Sequence, residues 1–96
     1  MRYSVEYSEK AKKQLKKLDK STQRLIVSWL KKNVEGSENP RLHGKALVGN
    51  LGGLWRYRVE DYRIIAKIYD DKYIVLTLTL EHRRQIYKRN DLIKKS

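Results

Sequence analysis

Cysteine is absent from the 96-residue sequence and histidine occurs only twice. The first absence excludes a disulfide scaffold and any thiolate-bound zinc or iron–sulfur site. Two histidines cannot by themselves build a histidine-rich metal centre. Long apolar runs are missing too. Nothing approaches the roughly 18–20 apolar residues that span a bilayer, and Met1 to Lys10 has no apolar signal-peptide stretch. The sequence therefore predicts a cytoplasmic protein with no membrane association. Acidic residues are scarce, 11 against 23 Lys and Arg, for a net charge of +12. The excess is spread along the chain, +7 over residues 1–48 and +5 over 49–96. A balance this one-sided implies a polyanionic or strongly acidic partner. Hydrophobic residues make up 40%, enough for a modest core, so the composition does not read as disordered. With no internal repeat and no low-complexity linker, residues 1–96 read as a single domain.

Residues 2–7 alternate, with Tyr3, Val5 and Tyr7 on one side, and predict a half-buried strand. Ser8 reads as an N-cap with Glu9 in the first turn. Ala11, Leu15 and Leu18 then form one helical stripe, and Lys10, Lys12, Lys13, Lys16 and Lys17 cover the remaining surface. Ser21 reads as the cap of a second helix with Leu25, Ile26, Trp29, Leu30 and Val34 on its apolar face. Gly36 and Pro40 end it. Two helices this close in sequence predict an αα-hairpin. Residues 39–53 read as loop. Three strands follow: 54–59, 62–69 and 73–80, separated by turns at Glu60–Asp61 and Asp70–Asp71. Ile74, Leu76, Leu78 and Leu80 are expected on one face of the last. Residues 82–89 read as a short helix or an extended tail. The expected fold is α+β, in the order β-α-α-β-β-β, with the helical hairpin packed on a four-stranded, mainly antiparallel sheet.

The chemistry sits on the polar face of that sheet. If Trp55, Tyr57 and Val59 point inward, Arg56 and Arg58 point outward, and the 60–61 turn brings Arg63 close to Arg58. The last strand delivers Glu81, His82, Arg83 and Arg84 at its end, with Tyr87 beyond. Clustered arginines repel one another unless an anion joins them, and the planar guanidinium matches phosphate oxygens. The competing reading is a solvated basic face paired with Glu60, Asp61 and Glu81. His82 is either a general acid or base or a surface residue beside a strand end. Tyr87 either stacks on a base, donates a proton, or is a core or interface aromatic. His43, Trp29 and Trp55 read as structural.

Four blocks in linked order carry a resemblance over essentially the whole chain. They are Pro40-Arg41-Leu42-His43-Gly44-Lys45-Ala46-Leu47, Gly53-Leu54-Trp55-Arg56-Tyr57-Arg58-Val59, Asp61-Tyr62-Arg63-Ile64-Ile65 and His82-Arg83-Arg84-Gln85-Ile86-Tyr87. They resemble the RelE/ParE superfamily of type II toxin–antitoxin toxins, and its RelE-like branch more closely. The resemblance implies a bacterial or archaeal toxin that cleaves mRNA in the ribosomal A site without a metal. The ribose 2′-hydroxyl attacks the adjacent phosphate and leaves a cyclic phosphate. It also implies a RelB-like antitoxin, a monomeric free toxin and a hetero-oligomer with the antitoxin.

The resemblance assigns roles to particular residues. Arg63 holds the scissile phosphate, Arg83 stabilises the phosphorane, and Tyr87 stacks on or orients a base. Arg58 joins them, and Lys45, Arg56 and Arg84 bind RNA phosphate. Some family members carry lysines where this chain has Arg56 and Arg58, one of them proposed as a general base. Arginine stays protonated, so that role does not transfer. His82 stands where His and Lys alternate, and is the expected proton-transfer group beside Tyr87. Glu81 stands where glycine is usual. The alternative within the superfamily is a ParE-like toxin that inhibits DNA gyrase without nuclease activity. The His82-Arg83-Arg84 and Tyr87 block favours the nuclease.

Overall fold

Ser8 ends the first strand and begins the first helix. Its Oγ accepts from the Ala11 N–H at 3.0 Å and donates to the Leu78 carbonyl at 2.7 Å. One hydroxyl thus caps a helix and fastens it to the sheet. The computed structural model describes residues 1–49 and 52–82. Within them the order is β1 (Ser4–Tyr7), α1 (Glu9–Lys17), α2 (Lys20–Asn33), β2 (Lys45–Ala46), β3 (Trp55–Val59), β4 (Tyr62–Tyr69) and β5 (Ile74–His82). The expected C-terminal helix or tail lies outside the described residues, as do Arg83, Arg84 and Tyr87.

The helical hairpin turns through Leu18 and Asp19. Asp19, and not Ser21, caps α2: its carboxylate accepts from the Thr22 N–H and from the Ser21 and Thr22 hydroxyls. These bonds hold its carboxyl down at about 2. The helix starts one residue before Ser21, which spends its hydroxyl on the cap instead of being one. Ile26 and Leu30 from α2 and Val34 at its C-cap meet Tyr3, just before β1, and Tyr57, Val59, Ile64, Ala66, Val75 and Leu80 from the sheet in one buried cluster. Trp29 and Trp55 pack against its margin, as expected.

The sheet has five strands in the order β1-β5-β4-β3-β2, one more than expected. The addition is β2, two exposed residues inside the segment read as loop. Tertiary contacts make it. Trp55 Nε1 donates to the His43 carbonyl at 2.7 Å, and Gly44 lies so close to β3 that a Cβ there would sit 2.2 Å from the Arg56 carbonyl oxygen. Gly44 also has φ +86°, which L side chains disfavour. The sheet is mixed: β1 pairs parallel with β5, and every other pairing is antiparallel.

Two details of β5 depart from expectation. Its turn from β4 has four residues, Asp70 to Tyr73, with Tyr73 at φ 54°. Its two-residue period is also broken. Ile65 faces Thr79 but Ala66 faces Thr77, so Leu78 has no partner on β4. Such a bulge reverses the faces beyond it. Val75 and Thr77 enter the core before it and Leu80 after it, while Ile74, Leu76 and Leu78 stay half-buried.

Candidate functional site

The β3–β4 hairpin positions the arginines. Tyr57 and Val59 are buried, and the alternation sends Arg56 and Arg58 to the face away from the helices. Glu60, at φ 54°, turns the chain so that Val59 faces Tyr62 and Arg58 faces Arg63 directly. Directly opposed side chains in such a ladder have Cβ atoms about 4.5–5.5 Å apart. One row along, Lys45, Arg56 and Ile65 lie side by side across β2, β3 and β4. The same face therefore carries Lys45, Arg56, Arg58 and Arg63.

None of these four forms an ion pair among the described residues. The ion pairs there are Lys12 with Glu9 and Arg41 with Asp70. The carboxylates of the neighbouring turn do not neutralise the arginines. Arg58 Nε makes one long contact, 3.4 Å, to the Glu60 carbonyl. Like charges held face to face repel, and an anion between them converts repulsion into attraction on both sides. Such a row can hold a phosphate or another anion.

His82 is not part of it. It lies opposite Tyr62, the residue before Arg63, and its ring meets the Tyr62 ring edge-on with centroids 4.8 Å apart. Both line a cleft of about 260 Å³ with Gln14, Lys17, Leu18 and Leu80, on the helix-bearing side. Burial, with Asp19 and Asp61 nearby, pushes the Tyr62 phenol upward. His82, expected with Tyr87 as a proton-transfer group, thus lies on the face opposite Arg56, Arg58 and Arg63. Adjacent strand positions point to opposite faces. Glu81 takes the arginine side instead, directly opposite Arg63. The sequence signal for Glu81 was its place where glycine is usual; its face depends on the Leu78 bulge. Arg83, Arg84 and Tyr87 lie outside the described residues.

A second fixed point lies at the far end of the hairpin. Arg41 grips the Asp70 carboxylate through both terminal nitrogens at 2.9 and 2.8 Å, and the Tyr3 hydroxyl donates to the same carboxylate at 2.5 Å. Arg41 and Tyr3 hold the Asp70 carboxyl at about 2, and the carboxylate in turn pushes the Tyr3 phenol up. Among the described residues no group of three or more His, Asp or Glu is placed to hold a metal ion, and no helix is long and apolar enough to cross a membrane.

Known proteins share this fold. The family described as ParE toxin of type II toxin-antitoxin system, parDE, matches residues 5–87. Toxin RelG of Mycobacterium tuberculosis is 30% identical over 89 residues, spanning 93% of this chain and 100% of RelG. A chain in the toxin–antitoxin complex RelBE2 of the same organism superposes with a TM-score of 0.78 at 26% identity, over 86% of this chain and 93% of that one. A chain of the archaeal RelE–RelB complex from Pyrococcus horikoshii OT3 gives 0.65 at 26% identity, over 86% and 97%. The isolated Escherichia coli RelE toxin, at 21% identity and a TM-score of 0.68, shares the fold. The chain belongs to the ParE toxin family, within the RelE/ParE superfamily of type II toxin–antitoxin toxins.

Proposed function

We propose that this toxin is a ribosome-dependent mRNA endoribonuclease that cleaves in the A site and so stops translation. The observation that carries this reading is the pair Arg58 and Arg63, opposed across β3 and β4 and forming no ion pair among the described residues, with Arg56 and Lys45 one row away. Two guanidiniums at that spacing bracket one phosphate, and Lys45 and Arg56 take the next along the strand. Arg83 joins them as the donor that stabilises the phosphorane, Arg84 binds RNA, and Tyr87 orients the base or supplies a proton. His82 is left out of the proton transfer because of its face. The 2′-hydroxyl attacks the adjacent phosphate, and no metal takes part. Outside the ribosome the partner is a RelB-like antitoxin, in line with the RelE–RelB complexes among the similar structures. An acidic antitoxin segment suits a chain of net charge +12. The free toxin is a monomer in the cytoplasm, and the antitoxin complex is a hetero-oligomer.

The test is to add the protein to ribosomes programmed with a defined mRNA and map the new 5′ ends. Cuts within the A-site codon are expected, with free mRNA left intact. Arg63→Ala should lower the single-turnover rate by about 100- to 1000-fold, the usual effect of losing one preorganised donor. Cuts in free mRNA would make the protein a general ribonuclease. Intact mRNA from protein that still arrests growth would overturn the nuclease reading and favour gyrase as target, the alternative within the superfamily.

A further inference from the structure

Cleavage by a 2′-hydroxyl needs a group to take that proton. Arg56, Arg58 and Arg63 cannot, because guanidinium stays protonated. His82 is turned to the other face with Tyr62. The row that holds Arg58 and Arg63 continues onto β5 and ends at half-buried Glu81. Its place there comes from the bulge at Leu78, which turns Leu80 and His82 toward the helices and Glu81 away from them. A phosphate held by Arg63 has its attacking 2′-oxygen within one phosphate's width, which is the reach to the next side chain in the row.

On the reading above, we infer that Glu81 is the general base of the cleavage, its carboxylate at the end of the Arg58–Arg63 row accepting the 2′-hydroxyl proton. The 2′-oxygen bonds to phosphorus as the bond from phosphorus to the 5′-oxygen breaks. The 2′ proton passes to Glu81, and the departing 5′-oxygen takes a proton from solvent water. The products are a 2′,3′-cyclic phosphate and a 5′-hydroxyl, and the proton on Glu81 returns to the hydroxide left in solvent. Arg58 and Arg63 carry the charge that gathers on the phosphorane. Among the described residues, the charged groups beside Glu81 in the sheet include Arg63 on β4 and Arg58 on β3, with Glu60 and Asp61 at the tip of their hairpin.

The experiment is single-turnover cleavage on saturating programmed ribosomes across pH, for the parent, Glu81→Gln and Glu81→Asp, with ribosome affinity measured alongside. Glu81→Gln should lower the rate by about 10²- to 10⁴-fold, the usual range for a general base, at unchanged affinity. It should also abolish the acid limb of the pH–rate profile, while Glu81→Asp keeps that limb at a reduced rate. A Glu81→Gln profile that retains the acid limb, or a loss confined to ribosome affinity, would overturn the assignment and leave the nuclease reading standing. If Glu81→Gln does not fold, Glu81→Asp decides, since the full parental rate at every pH from the shorter side chain would equally refute it. A parent that cuts nothing on the ribosome removes the nuclease reading itself.

Discussion

Thr77 and Tyr57 both bury a hydroxyl, with opposite outcomes. Tyr57 is fully buried, but its hydroxyl donates to the Pro40 carbonyl at 2.5 Å, and burial pushes the phenol up to about 12. Thr77 is equally buried, between Tyr7 on β1 and Ala66 on β4, and its Oγ1 has no hydrogen-bond partner among the described residues. An unpartnered buried hydroxyl costs about 1–3 kcal/mol. Valine keeps the β-branched shape that a central strand favours and removes the hydroxyl. Thr77→Val should therefore raise stability by roughly 1 kcal/mol, read from urea unfolding midpoints at constant m. A lower midpoint would show that the hydroxyl finds a partner in solution. The sequence pattern could not single out Thr77. Its neighbours Ile74, Leu76, Leu78 and Leu80 form the more hydrophobic set, and only the bulge explains why Thr77 and Leu80 share the core. Arg56, Arg58 and Arg63 were legible, because one uninterrupted hairpin fixes all three faces. His82 was not, because its face depends on that one extra residue.

Elements that depend on neighbours in sequence were legible, and elements made by distant contacts were not. The helical hairpin, β3 and β4 follow from caps, stripes and alternation. The strand β2 has only two residues and depends on Gly44 and Trp55 meeting β3. The parallel pairing of β1 with β5 joins residues about seventy apart in sequence, which no local pattern encodes. That pairing also leaves a problem that α1 solves. β1 stops opposite Thr77 while β5 runs on to His82, so one edge of β5 loses its partner strand. Ser8 donates to the Leu78 carbonyl, and Gln14 Oε1 accepts from the Leu80 N–H at 2.7 Å and the Thr79 hydroxyl at 3.2 Å. A helix thereby covers a bare sheet edge. Gln14→Leu leaves the Leu80 amide without an acceptor and should destabilise the protein by about 1–3 kcal/mol. Amide exchange should accelerate at Leu80 first, because the loss is local. An unchanged exchange rate there would mean that water replaces the glutamine.

On the scale of the whole molecule, the net charge is +12, and among the described residues the bidentate ion pair joins two distant loops. Arg41, in the segment after α2, grips Asp70 in the β4–β5 turn, and Tyr3, just before β1, donates to the same carboxylate. The grip holds that segment near the sheet, whose strand β2 presents Lys45 beside Arg56. The Asp70 carboxyl sits at about 2 in the folded protein against an ordinary 3.8. The unfolded chain therefore binds the Asp70 proton more tightly, and stability must fall as pH falls between those values. The contribution is fully present above about pH 4 and lost as pH drops toward 2. Asp19, also held at about 2, adds a parallel loss of its own. Asp70→Asn separates the two, since it removes the first and keeps the second. At neutral pH the variant should melt below the parent, and the gap should close as both are titrated from about pH 4 to pH 2. A gap that stays constant over that range would show that Asp70 acts through shape and hydrogen-bond geometry, not through its charge.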